Sequence, residues 1–254
     1  MNKGVVPNLI AQDLRGWISR PVSWAWMAVA VVVLCATEAG LLAHGTPSSL
    51  FRSVLGGPHV VEQHGQLGEG PDWTWLTINV LFVIETLGAS DNEAAWRRLI
   101  LVRGVSRTQW AGARLATLMV GAAIFLVVLL LVLELTVVMG WQTGPVISAA
   151  AWWDVGLWAL GLVSLGWFGA ALTLITNQSW APWVVTMALL GVGRYGGPLS
   201  PYAPFAQWIY DLHGLPGTLG VEGGTLYVAA WTVLCGVVTV VVARGRPFGE
   251  VGST

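Results

Sequence analysis

The chain has 254 residues, of which 55% are hydrophobic and only 10% charged, with a formal net charge of −1. Soluble domains carry about a quarter charged residues, so this composition, with a mean hydropathy of +0.69, excludes an ordinary water-soluble domain and points to an integral membrane protein. Lys3 is the only lysine, which leaves no basic stripe of the kind that tracks a phosphate backbone, and nucleic acid is not an expected partner. Cys35 and Cys235 lie inside apolar runs and read as small buried hydrophobes, not as a disulfide framework or a redox site.

The first predicted element is an amphipathic helix over 7–20. Ile10, Leu14, Trp17 and Ile18 follow helical spacing, while Gln12, Asp13, Gly16 and Arg20 take the other face. Such a helix is expected to lie on the inner leaflet. Pro21 ends it and turns the chain into an apolar run. That run follows Lys3 and reaches Ala36 and Ala39, as a cleaved leader would, but some twenty structured-looking residues precede it and it continues past any small-residue cut site, so it reads as a span.

A helix needs about 20 apolar residues to cross the hydrocarbon core, fewer where flanking groups snorkel. Six segments are expected to cross, at about 21–42, 73–89, 111–140, 147–175, 180–192 and 225–243. The predicted fold is therefore all-α, one transmembrane domain over 1–254. Lys3, Arg15, Arg20, Arg97, Arg98, Arg103, Arg107, Arg114, Arg244 and Arg246 then fall on one side, and only Arg52 and Arg194 on the other. By the positive-inside rule both termini are expected in the cytoplasm of a multi-pass cell-membrane protein. Trp17, Trp24, Trp26, Trp73, Trp75, Trp110, Trp141, Trp180 and Trp183 sit near predicted span ends, where amphipathic rings favour the interface.

Between the second and third spans runs SDNEAAWRRLILVRGVSRTQW. Ser90 with Glu93 has capping-box spacing, in which hydroxyl and carboxylate satisfy each other's orphan amides. Trp96, Leu99, Ile100 and Arg103 share one face, Arg103 complements the helix dipole, and Gly104 sits where a left-handed terminating residue is wanted. Ser106 and Gln109 repeat the capping pattern just before the third span. These features predict a discrete cytoplasmic helix over 90–104. One reading has its arginines set topology and touch lipid phosphates; the other makes it a stiff lever on which a soluble partner pushes, since a floppy loop cannot transmit displacement.

The stretch 194–224 is apolar yet broken by Pro198, Pro201, Pro204 and Pro216, and is expected to dip back into the outer leaflet under cover of protein. It could gate the outer side or form a lid without a gating role. Ionisable groups inside spans cost about 2.5–3.5 kcal/mol near the centre and call for a partner or a polar cavity. Glu134, Asp154 and Arg194 are such groups, readable as a structural ion pair or as part of a substrate pathway; Glu38 and Glu85 lie close to span ends and are expected to snorkel. His59, Glu62 and His64 fit no compact zinc pattern, and no metal site is expected. Every histidine falls outside the predicted spans, which leaves a membrane-embedded hydrolase without a base.

DLRGWISRPVSW at 13–24 resembles the pre-membrane helix of ABC type-2 permeases, and ETLGASDNEAAWRRLILVRGVSRTQWAGARL at 85–115 resembles the loop after their second span. Two departures are visible: Ala94 and Ala95 stand where the family commonly has Gly-Thr, and Arg114 where a lysine is usual. Six spans, cytoplasmic termini and length extend the resemblance over the whole chain. It implies that 90–104 is a coupling helix docking on a separate ABC ATPase subunit through Asp91, Glu93, Trp96, Arg97, Arg98, Leu99, Arg103 and Arg107. It further implies a second permease subunit, identical or not, contact with membrane lipid, efflux as the direction, and an outer gate at 194–224. The chain itself would bind no cofactor and catalyse nothing, with ATP and Mg held by the partner; accordingly no Gly-Lys-Ser/Thr turn of a P-loop is present. The reading from another class is a membrane scaffold or regulatory subunit that recruits a soluble partner through the same helix and moves nothing.

Overall fold

The computed structural model describes residues 5–42, 73–88, 104–139, 152–178, 180–195, 203 and 219–245. Among these residues the protein is all-α, with seven helices and no strand. In chain order α1 is Val5–Ile18, α2 Pro21–Leu42, α3 Trp73–Gly88, α4 Arg107–Met139, α5 Trp152–Thr176, α6 Ala181–Tyr195 and α7 Gly220–Gly245. Three stretches are long and apolar enough to cross a membrane: Arg107–Leu135, Val155–Thr176 and Glu222–Gly245. The pair Val5–Ile18 and Pro21–Val33 meets the same test only together, with a bend of 66° between them. α3 and α6 have 16 and 15 residues. At 1.5 Å per residue they rise about 24 and 22 Å, short of a hydrocarbon core about 30 Å thick.

Local chemistry accounts for the helix ends. Pro21 opens α2 at the first helical position, where a missing N–H costs nothing. α5 stops at Asn177, whose φ of 56° is the left-handed conformation that asparagine tolerates, and the Asn177 amide bonds back to the Thr173 carbonyl at 3.0 Å. α7 begins at Gly220, five residues before the expected start at 225, so 220–224 belong to this helix and not to the outer segment. Arg194 and Tyr195 of that segment close α6, and of its remaining residues the structure describes Ala203, buried in the main core cluster, and Leu219, exposed.

The main core gathers α2 to α5 and α7. Phe82 of α3 meets Phe125 of α4 with ring centroids 4.9 Å apart and tilted by 40°. Trp158, Leu162 and Leu165 of α5 and Val228 of α7 join them, and Met187 and Leu189 of α6 pack from outside. α5 and α7 share the most extensive contact. Within it lies Gly236, where an added Cβ would be 2.6 Å from Cζ3 and 2.7 Å from Cε3 of Trp167. The same indole donates from Nε1 to the Leu115 carbonyl of α4 at 3.1 Å, so one tryptophan ties three helices.

α1 does not lie apart from the bundle. Its first turns, through Val5, Val6, Leu9 and Ile10, cluster with Val105, Trp110, Ala111 and Ala113 at the start of α4. Further on, Trp17 covers Gly121, with Cη2 3.7 Å from where a Cβ would stand. Both contacts advance together, so α1 follows α4 and protein covers its apolar face. The covered stripe differs from the expected one: Leu9 is buried and Ile18 is 48% exposed. Val5 and Val6 extend the apolar face toward the start of the helix, which rotates the best-packed side.

On the outer side, α4 presents Val127, Leu131, Leu135 and Val138, and α7 presents Leu226, Val233, Val237 and Val241, all exposed. Aliphatic rows of this length are what a bilayer covers and water does not. Gly236→Ala is expected to destabilise the bundle by about 1–3 kcal/mol through overpacking against Trp167. Thermal denaturation of the detergent-solubilised protein checks this, and Trp167→Leu in the same chain should recover part of the loss.

Candidate functional site at the basic end of the bundle

One end of the bundle collects the start of α4, the ends of α5 and α7, and the first turns of α1. Trp110, Ala111, Ala113, Leu174, Ala243 and Leu9 form its buried cluster. Gly104, with φ of +79°, has the left-handed backbone that glycine adopts without a Cβ clash. Two residues later the chain is capped reciprocally: the Ser106 amide donates to Gln109 Oε1 at 3.1 Å, and the Gln109 amide donates to Ser106 Oγ at 3.2 Å. Ser106 Oγ also lies 3.1 Å from Thr108 Oγ1. This is the capping box expected from the sequence, and it fixes the direction in which α4 leaves 104–106.

Arg107, the first residue of α4, donates from Nη1 to the Arg244 carbonyl in the last turn of α7 at 3.1 Å. A guanidinium here meets both the orphan carbonyls and the negative pole of the α7 dipole. The start of one membrane-length helix is thereby tied to the end of another, far apart in the chain. Displacing the backbone around Gly104 and Ser106 therefore loads α4 and α7 together.

Of the expected docking residues, Asp91, Glu93, Trp96, Arg97, Arg98, Leu99 and Arg103 lie outside the described residues, as do His59, Glu62 and His64. Arg107 is half-buried and engaged within the chain. The three expected intramembrane charges acquire local explanations. Arg114 and Glu134 of α4 are 20 positions apart with no charge between them, a rise of about 30 Å, which is close to the hydrocarbon thickness. Asp154 is the third residue of α5, and Arg194 the last but one of α6, positions where a carboxylate and a cation respectively complement the helix dipole. The side chains of Asp154 and Arg194 lie outside the described residues. Glu222 stands in the first turn of α7 by the same rule.

The bundle is consequently polarised. Arg15, Arg107, Arg114 and Arg244 stand toward one end and Glu134 and Glu222 toward the other, with Asp13 an acidic exception at the first and Arg194 a basic one at the second. Sequence reading missed a second feature, in the interior. Trp158 Nε1 and Ser164 Oγ of α5 and Trp231 Nε1 of α7 are buried polar atoms with no hydrogen-bond partner among the described residues. Each such group costs about 1–3 kcal/mol when left unmet. The legible signal was position: Trp158, Trp167 and Trp231 fall within spans, away from the ends where interfacial tryptophans belong. Among the described residues no group of three metal-ligating side chains is present.

No protein-family model matches the chain, and no curated protein matches it closely enough to identify a relative. Among the described residues, fold and site define a helical protein with three helices long and apolar enough to cross a membrane and a basic, capped junction at one end.

Ser106→Ala is expected to destabilise the protein by about 0.5–2 kcal/mol, while Ser106→Asp, which can still accept from the Gln109 amide, should cost less. Thermal midpoints of the two variants check the cap.

Proposed function

We propose that this chain is the membrane-spanning permease subunit of an ATP-driven exporter of the ABC type-2 kind, crossing the membrane six times with both termini in the cytoplasm. Two such subunits would form the pathway, and a separate ABC ATPase would dock on 90–104. The observation that carries this reading is the junction at the start of α4. A helix docked by an ATPase needs a stiff route into the bundle, and Gly104, the Ser106–Gln109 cap and the Arg107 bond to α7 supply one directly after residue 103. The cationic end also fits a cytoplasmic face under the positive-inside rule.

In this mechanism nucleotide binding draws two ATPases together, the 90–104 helices follow, and α4 and α7 move as a pair. The outward opening would expose the interior around Trp158, Ser164 and Trp231, whose unmet polar atoms suit an amphipathic cargo. Glu134, Asp154 and Arg194 would stand at the outer rim of that route.

Two measurements test the proposal. In proteoliposomes holding the permease and its ATPase, Arg97→Glu with Arg98→Glu should abolish transport while leaving the basal ATP hydrolysis of the partner; unchanged coupling would rule out the lever. Purification of the tagged chain from its native membrane should bring down a P-loop ATPase in equal amount. Recovery of a different soluble partner without nucleotide-driven transport would favour the scaffold reading instead.

A further inference from the structure

Ser23 is the third residue of α2 and only 9% exposed. Buried hydroxyls elsewhere in the bundle, such as those of Thr117 and Thr239, donate to the carbonyl four residues earlier. Ser23 has no such recourse, because the carbonyl four residues before it lies across the 66° bend between α1 and α2. Nearer acceptors are already engaged: the Ile18 carbonyl receives Trp24 Nε1 at 2.6 Å, and the Arg20 carbonyl receives the Ser23 amide at 3.1 Å. Among the described residues the Ser23 hydroxyl therefore has no hydrogen-bond partner. Unlike Ser164 Oγ, it is not sealed within the core.

Ser23 lines a cavity of about 110 Å³ between α1, α2 and α4. Met27, also buried, lines it from α2, Ile124 and Val128 from α4, and Trp17 from α1. Two further lining residues, Ile18 and Trp24, are 48% and 56% exposed, so the cavity opens to the outside of the bundle. No lining residue carries a charge. Ile124 stands midway between Arg114 and Glu134, the nearest charges on either side of it along α4. The cavity accordingly lies near the mid-depth of that apolar stretch, away from water and lipid headgroups. An unmet hydroxyl is costly there, and acyl tails offer it neither donor nor acceptor.

We propose that this cavity binds a small uncharged alcohol dissolved in the bilayer, with the ligand hydroxyl on Ser23 Oγ and its chain against Trp17, Met27 and Val128. A hydroxyl both donates and accepts, so the two groups satisfy each other in either sense. Charged ligands are excluded, since no counter-charge lines the cavity and a desolvated ion is far more costly than a hydroxyl. Size sets the other limit. An apolar cavity of about 150 Å³ accepts benzene, so 110 Å³ with an open mouth suits a chain of about six carbons. This assignment requires only that the bundle sits in a bilayer and is independent of ATP-driven transport.

The test uses the full chain in phosphatidylcholine vesicles, with hexanol carrying a diazirine on its chain as the probe and hexane carrying the same diazirine as the comparison. After illumination, peptide mapping should place the alcohol's label on 17–27 and 124–128, saturably and in competition with unlabelled hexanol. Ser23→Ala, which removes one atom, should weaken the alcohol by about fivefold, the worth of one net hydrogen bond, and leave the alkane unchanged. Val128→Phe should lower labelling there by both probes, whereas Val138→Phe, on an exposed position of α4, should change neither. If Val128→Phe does not fold, the two probes and Ser23→Ala still decide. Equal labelling by alcohol and alkane, or no effect of Ser23→Ala, overturns the site, because the cavity would then be an apolar recess filled by acyl chains. Label spread evenly over α4 and α7 overturns it as well.

Discussion

A chain with an apolar exterior cannot leave backbone hydrogen-bonding groups for water to satisfy, and this constraint shapes the helix breaks at 18–21, 104–107 and the end of α7. At the end of α1 the partners are Ser19, the Arg20 amide and the Trp24 indole. Before α4 they are Ser106 and Gln109, and at the end of α7 the guanidinium of Arg107. Inside the helices the same rule governs threonine: Thr117, Thr173, Thr186, Thr232 and Thr239 are all buried and donate to the carbonyl four residues earlier. These five hydroxyls are thus satisfied within their own helices, without fixing a neighbour, whereas the buried Ser164 Oγ is not.

Cohesion between helices then rests on shape. Lipid tails are as apolar as leucine, so exclusion from water contributes little inside a bilayer and close packing contributes most. The contact of Trp167 with Gly236 is of this kind: the glycine lets a flat ring reach the α7 backbone, and the ring's single donor finds a carbonyl of α4. Trp17 over Gly121 repeats the arrangement with α1. Large aromatic against glycine is a pairing that aliphatic side chains alone do not provide.

The basic end joins these two principles. Its cap and its guanidinium close helix termini, and its buried cluster holds α1, α4, α5 and α7 in one unit. A push delivered at 104–106 meets a junction that is hydrogen-bonded and packed, so rigid-body motion is the available response. The elbow between α1 and α2 is different, because its hydrogen bonds are local and a cavity lies beside it.

Much of this was legible in the residues. Hydropathy located the helices, since 20 uncharged positions need no neighbour to be recognised, and Pro21, Gly104, Ser106 and Gln109 announced their turns because capping chemistry is local. The count of crossings was less so: among the described residues α4, α5 and α7 meet the length and apolarity a crossing needs, while α3 and α6 are short. Contacts between distant positions were hidden altogether. Nothing in the sequence around Arg107 marks the Arg244 carbonyl as its acceptor, and nothing beside Gly236 names Trp167, because both partners are set by how the helices align. Helix positions and the local turns at Pro21, Gly104 and Ser106 followed from the sequence through short-range periodicity and capping; where α7 begins, which face of α1 is covered, which tryptophan ties three helices and where a cavity opens were decided by tertiary packing, since those depend on side-chain shape across helices far apart in the chain.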